Sequence, residues 1–228
     1  MTMRPSPITT RLGAGAGWRP QIDGALAQVE TLGFIEVIAE SIGAGALPDG
    51  VVAARERGLQ VVPHTREALE ILCENVAIAQ EALPVPLALE HVAALVQWPS
   101  PEMDEATFVR ELIERTGALL LLDLSNPYAN ALNHGYEALE ALARFPLERI
   151  AYVHVGGGVL RDGVYHDTHS HPVVPGVLHL VEELCAIADP PGVMLEHDDD
   201  FPPASELIAE LKAIAAAVRR GGERRACA

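Results

Sequence analysis

The chain has 228 residues, of which 49% are hydrophobic, enough for one large domain with a sizeable core and too many for a disordered polypeptide. Thirty-two acidic residues against 16 basic ones give a formal net charge of −16, which excludes binding to nucleic acid or to an anionic membrane through clustered Lys and Arg. Lys212 is the only lysine, so neither a P-loop nor a Schiff-base lysine is available elsewhere.

Residues 8–17 are expected to begin extended and to turn in the run Gly13-Ala-Gly-Ala-Gly17. Ile22, Leu26, Val29 and Leu32 recur at helical spacing and predict a helix over 20–32, stopped by Gly33. A strand over 34–39 leads to Glu40. A helix over 47–57 closes at Gly58, and a strand over 59–63 leads to His64. Leu69, Leu72, Val76 and Ala79 form the apolar face of a helix over 66–83, and a strand over 86–89 leads to Glu90. Pro101 and the acids of 100–105 mark a helix start, and the helix runs to Thr116 with Gly117 as its stop. The apolar run 118–122 leads to Asp123. Residues 125–135 read as a loop before a helix over 136–144. A strand over 150–153 leads to His154. Tyr165-His-Asp-Thr-His-Ser-His-Pro172 reads as a loop. Helix 177–188, strand 192–195, Glu196 and helix 204–219 follow, with 221–228 as a flexible tail.

Strand and helix thus alternate seven times. The later strands are unbroken apolar runs, the pattern of a parallel sheet buried on both faces. No Rossmann or P-loop signature accompanies them. The expected fold is therefore α/β, a TIM-type (β/α) barrel of about seven units in one domain over 1–220, with a doubly wound sheet as the alternative.

In such a barrel, side chains at the C-terminal ends of different strands converge on one mouth. Here those ends carry Glu40, His64, Glu90, Asp123, His154 and Glu196, and the run 165–172 adds three histidines and Asp167. Four carboxylates and several imidazoles in one mouth would repel or be forced to hold protons unless cations neutralised them. Mixed nitrogen and oxygen donors suit iron, manganese or zinc better than magnesium or calcium, and their number exceeds the needs of one ion. His91, His179 and His197 read as structural. No GxSxG elbow or Cys–His dyad is present. Cys73, Cys185 and Cys227 form no CxxC pair, which fits a reducing cytoplasm; no signal peptide and no membrane-length apolar run is expected.

These residues resemble a known family, the multinuclear non-haem iron-dependent oxidative enzymes that include the iron subunit of the methanobactin oxidase. The resemblance lies in Glu-Met-Asp-Glu-Ala-Thr-Phe (102–108), Leu-Leu-Leu-Asp-Leu-Ser-Asn-Pro-Tyr (120–128), Asn-His-Gly (133–135) and Leu-Glu-Arg-Ile (147–150) before His154. It continues in His-Asp-Thr-His-Ser-His-Pro (166–172) and Leu-Glu-His-Asp-Asp-Asp-Phe-Pro-Pro (195–203). It implies a xylose-isomerase-like barrel with two or three irons at the mouth. By position it makes Glu40, Glu90, Asp123, Asn126, His154, Asp167, His169 and Glu196 ligands or near-ligands, with His64 as a remaining histidine of its strand. His134 falls close to the site; the loop reading leaves His171 supporting the ligands or contacting substrate, and these two histidines are the expected catalytic residues. It further implies dioxygen chemistry on a peptide substrate, usually at cysteine, in natural-product biosynthesis, with a small leader-binding partner protein.

This sequence departs from the family pattern in four places. A further strand region with a Ser-Asp-His segment is missing before Arg66. His91 stands where Asn is usual, Gly156–Gly158 replace a histidine-bearing segment, and His197 stands where Trp is usual. Two other functions remain open on the same barrel. One is a non-redox metal-dependent isomerase or phosphoesterase; the other is a non-catalytic, reduced relative that binds a peptide or partner.

Overall fold

Four consecutive leucines in residues 119–122 leave this strand no polar face. In a computed structural model of the chain, all of Leu119–Asp123 but Leu121 is buried. That is the environment of a parallel strand covered on both sides. The structure describes residues 13–17, 32–36, 64–83, 85–94 and 101–227. Six strands form one parallel sheet: β1 (Gly13–Gly17), β2 (Leu32–Glu36), β3 (Ala88–Glu90), β4 (Leu119–Asp123), β5 (Ile150–Val155) and β8 (Gly192–Leu195). Their order is β2-β1-β8-β5-β4-β3. A separate antiparallel hairpin pairs β6 (Gly157–Arg161) with β7 (Val164–His171). The helices are α1 (Arg66–Ala82), α2 (Glu105–Thr116), α3 (Ser125–His134), α4 (Ala138–Leu142), α5 (Pro175–Ile187) and α6 (Ala204–Ala226).

The parallel strands with helices between them are the α/β arrangement that the sequence predicts. Among the described residues no strand joins β2 to β3, so a closed barrel is not seen. The strand expected at 59–63, the helix expected at 47–57, residues 20–31 of the helix expected at 20–32, and Glu40 lie outside the described residues; Leu32 and Gly33, expected to end that helix, instead belong to β2. Leu120, Leu122, Val153, Val155, Val193 and Leu195 of the sheet pack with Val177, Val181 and Leu184 of α5 and Leu207, Leu211 and Ile214 of α6 into the main core.

Local signals set the helix ends. Thr65 accepts from Ala68 N at 3.2 Å before α1, and Asp104 accepts from Thr107 N at 3.0 Å before α2. Gly117, at φ 72°, ends α2 in the left-handed region. Arginines close other ends. Arg110 donates to Arg144 O and Phe145 O at 2.8 Å each, and Arg149 donates to Gly117 O and Ala118 O at 2.8 and 3.0 Å.

Four elements correct the sequence reading. The Gly-Ala-Gly-Ala-Gly run is itself strand β1, not a turn after one. Its place between β2 and β8 gives both backbone edges ladder partners, which outweighs glycine's poor strand preference. Residues 125–134 are helix α3, not loop. Pro127 sits in the first turn, where its missing N–H costs no bond, and Gly135 at φ 75° caps the end. The run from Tyr165 is strand β7, turned back by Asp162-Gly163 with both residues at positive φ, the signature of a two-residue hairpin turn. Residues 221–226 continue α6. Their arginines tie α6 to α5: Arg224 pairs with Glu183, and Arg225 donates to Cys185 O and Ala188 O. Among the described residues no helix is long and apolar enough to cross a membrane.

The α5–α6 contact is close enough to test with one methyl group. A Cβ on Gly221 would lie 2.3 Å from Glu182 O and 2.6 Å from Cys185 Cβ. Alanine gains about 1 kcal/mol of helix propensity over glycine. Overpacking against a backbone oxygen costs about 1–3 kcal/mol. Gly221→Ala is therefore expected to lower the midpoint of thermal unfolding. A raised midpoint would show that α6 does not dock here.

Candidate metal centre

Parallel register brings the strand ends together. Asp123 pairs with His154, and His154 with Met194, two residues before Glu196, so β4, β5 and β8 end close together, while Glu90 ends β3 opposite Leu121. One potential donor atom each from Glu90, Asp123, His154 and Glu196 lies within 4.8 Å of the others. A second such group is Asp123, Asp167 and His169, and a third is His169, Glu196 and Asp198. Asp123, His169 and Glu196 are shared between groups, so the three form one continuous cluster.

The contacts run between carboxylates and imidazoles. His154 Nδ1 stands 2.9 Å from Glu196 Oε2 and 3.8 Å from Glu90 Oε1. His169 Nε2 stands 3.2 Å from Asp167 Oδ2 and 3.3 Å from Asp123 Oδ2. Its Nδ1 stands 3.2 Å from Glu196 Oε2 and 3.7 Å from Asp198 Oδ2. Asp123 is fully buried and Asp167 nearly so.

Burial and charge crowding perturb Glu90, Asp123, His169 and Glu196. Withdrawal from water pushes Glu90 up, the Asp123 and Glu196 charges add to this, and it reaches about 7 although 38% of the side chain remains exposed. Burial also raises Asp123, with His169 opposing and Asp167 reinforcing. Burial works against a charged His169, but hydrogen bonds to Asp167 and Glu196 and the Asp123 charge overcome it and push it up to about 11. Burial works against a charged Glu196 too, yet His154 and His169 hold it well below the usual carboxylate range.

The donor set fits a metal. Buried polar atoms ordinarily have a hydrogen-bond partner, and here Asp123 Oδ2 and Asp167 Oδ1 have none. Without a cation, an imidazolium must neutralise several carboxylates. The oxygen and nitrogen donors match iron, manganese or zinc.

Glycine makes room for the central histidine. His169 has φ 48°, a left-handed conformation, and Asp198 N donates to its carbonyl at 2.9 Å. A Cβ on Gly156 would lie 2.5 Å from His169 Cδ2 and 2.9 Å from Cγ. Gly156→Ala is expected to displace the ring and weaken metal binding at least about tenfold, measured by competition with a chromophoric chelator. Unchanged affinity would remove His169 from the site.

The other predicted residues stand as follows. His64 packs its ring on Phe108 at 5.0 Å between centroids, its carbonyl accepts from Glu102 N, and it belongs to none of the three groups. Asn126 is buried and donates to His91 O at 2.7 Å. His134 Nε2 lies 2.6 Å from Ala94 O, and His171 Nδ1 lies 2.8 Å from Thr168 Oγ1. His91 is buried beside Phe145, with Nδ1 3.7 Å from Glu105 Oε1. His197 is buried, with Nε2 3.4 Å from Glu210 Oε1. Sequence reasoning missed Asp198, the first of three consecutive aspartates in 198–200.

The model of the RiPP precursor modification enzymes MbnB/TglH/ChrH matches residues 51–219. The chain belongs to this family. Its relatives include UPF0276 proteins of several bacteria. That of Streptomyces avermitilis is 38% identical over 274 residues, covering 93% of this chain and 56% of the relative. That of Caulobacter vibrioides is 39% identical over 175 residues, covering 75% and 62%, and that of Rhizorhabdus wittichii is 41% identical over 151 residues, covering 66% and 54%. The chain thus spans little more than half the length of these relatives. The Streptomyces alignment is longer than this whole chain, so that relative carries internal segments with no counterpart here.

Proposed function

We propose that the chain is a metal-dependent oxidative enzyme that uses non-haem iron and dioxygen to modify a peptide side chain, with cysteine as the target. The convergence of Glu90, Asp123, His154, Asp167, His169, Glu196 and Asp198 into three overlapping donor groups carries this reading. The family supplies the substrate class, a ribosomally made peptide precursor. Bound iron would supply redox chemistry with dioxygen that no side chain of the chain can provide.

The chain's own residues do the rest. Asp123, His169 and Glu196, each in two groups, allow more than one ion to be held through shared ligands. Glu90, at the exposed rim and titrating near 7, can hold or release a proton at its carboxyl during turnover. His171, half-buried and two residues past His169, is assigned to substrate contact. A small leader-binding protein is assigned as partner, and the free thiols Cys73, Cys185 and Cys227 suit the cytoplasm.

Anaerobic reconstitution with iron(II), followed by metal analysis and oxygen uptake with a cysteine-containing peptide, tests the assignment. At least one iron per chain and peptide-dependent uptake are expected. Less than one iron per chain would sink it. The same nitrogen and oxygen donors would also serve one rival, a zinc or manganese enzyme acting by Lewis-acid chemistry alone. Full occupancy with zinc and no oxygen uptake would select that rival.

A further inference from the structure

The helix that follows Asp123 holds the backbone of each neighbouring donor-bearing segment. Ser125 Oγ accepts from Gly156 N at 2.7 Å and donates to Gly156 O at 3.1 Å, two residues past His154. Asn126 Nδ2 donates to His91 O, next to Glu90. Asn130 Oδ1 accepts from Ala94 N at 2.7 Å while its Nδ2 donates to Val92 O at 3.1 Å. Asn133 Oδ1 accepts from Tyr165 N and its Nδ2 donates to Tyr165 O, both at 2.8 Å, two residues before Asp167. His134 reaches Ala94 O.

Asn126, Asn130 and His134 recur every four residues, so they share one face of α3 and run along residues 91–94. Ser125, Asn130 and Asn133 each present one donor and one acceptor to an extended backbone, as a neighbouring strand would. The hairpin needs such a substitute. β7 belongs to a different sheet from the strands carrying Glu90, Asp123, His154 and Glu196, so no ladder sets its register against them. Asp123 is tied to the same helix, because its Oδ1 accepts from Ser125 N at 2.6 Å.

We propose that α3 is the template of the donor set. Ser125, Asn130 and Asn133 are positioning residues that fix the exits of β5 and β3 and the start of β7 against Asp123. They thereby fix the spacing of Glu90, His154, Asp167 and His169 around it. The proposal rests on the reading of the cluster as a metal centre.

The test uses Asn133→Ala and Ser125→Ala, with Leu132→Ala as control, since Leu132 is exposed on the same helix. Cobalt(II) serves as the probe, because its absorption bands report coordination geometry. Both variants are expected to bind cobalt about 10–100-fold more weakly, as loss of outer partners does elsewhere, with altered bands. The control is expected to match wild type. A side chain that only stabilised the fold would lower the melting point and leave the bands of the folded protein unchanged. Hydrogen exchange of the metal-free protein gives a second readout. Exchange at the Tyr165 amide is expected to speed up in Asn133→Ala, and exchange at the Gly156 amide in Ser125→Ala. Wild-type cobalt affinity and bands in both variants overturn the proposal while leaving the metal reading intact. Failure of the wild type to bind cobalt overturns the metal reading itself.

Discussion

Asp123→Asn is expected to leave the metal-free protein as stable as wild type, or more so, and to abolish the stabilisation that iron(II) gives. The two effects have opposite signs because Asp123 serves binding at the expense of the empty fold. Its carboxylate is fully buried, and Oδ2 has no hydrogen-bond partner. Burial dominates its upward pKa shift, with the Asp167 charge adding to it. An amide of the same shape keeps an oxygen for Ser125 N, where Oδ1 now accepts at 2.6 Å, and removes a buried charge. The lost attraction to His169 Nε2 at 3.3 Å works the other way, but burial outweighs it.

Binding responds differently, because Asp123 is shared by two of the donor groups. Loss of an outer partner costs about 10–100-fold in affinity, and loss of a shared ligand exceeds that range. By mass action, metal at 100 times its dissociation constant stabilises the fold by about 2.7 kcal/mol, and after a 100-fold loss of affinity the same concentration gives about 0.4 kcal/mol. Thermal unfolding of both proteins with and without iron(II), under anaerobic conditions, measures both effects. An equal metal-induced shift in the two proteins would exclude Asp123 as a ligand.

The strand ends were legible in the sequence because buried parallel strands are apolar throughout. The first polar side chain after Leu122 or Leu195 then marks where the chain leaves the sheet at the mouth. The register of Asp123 with His154 follows from that rule. Helix α3 was not legible. Ser125-Asn-Pro-Tyr-Ala-Asn-Ala-Leu-Asn-His134 has only three strong helix formers, Ala129, Ala131 and Leu132, and asparagine prefers turns when alone. Its polar face is satisfied by backbone groups of residues 91–94, 156 and 165, distant in sequence, and no local pattern encodes them. The hairpin had a local signal in Asp162-Gly163, but three histidines drew the reading toward a loop. Asp198 is set apart from Asp199 and Asp200 by its approach to His169, a tertiary fact.

The metal-free protein is expected to lose stability as pH rises from about 6.5 toward 11, and bound metal is expected to cancel that loss. His169 is raised from its ordinary 6.5 to about 11 by the carboxylates of Asp167, Glu196 and Asp123. A group whose folded value is raised contributes stability that is whole below its unfolded value and disappears as pH rises through the folded one. Glu90, raised from 4.5 to about 7, acts in the same direction over a lower window, since the fold holds its proton more tightly than the open chain does. Glu196 acts oppositely, its contribution being present above its ordinary 4.5 and lost in acid. The empty protein should therefore be most stable in mildly acidic solution, where His169 is an imidazolium. A metal ion takes over the neutralising role of that proton, so its affinity rises with pH and the stabilisation it gives grows where the empty fold weakens. Urea unfolding at about pH 6 and about pH 9, with chelator and with saturating zinc, separates the two curves. His169→Gln should flatten the metal-free dependence over the same interval, because the glutamine amide cannot be charged at either pH. A wild-type metal-free protein equally stable at both pH values would show that the His169 imidazolium does not hold the carboxylates together.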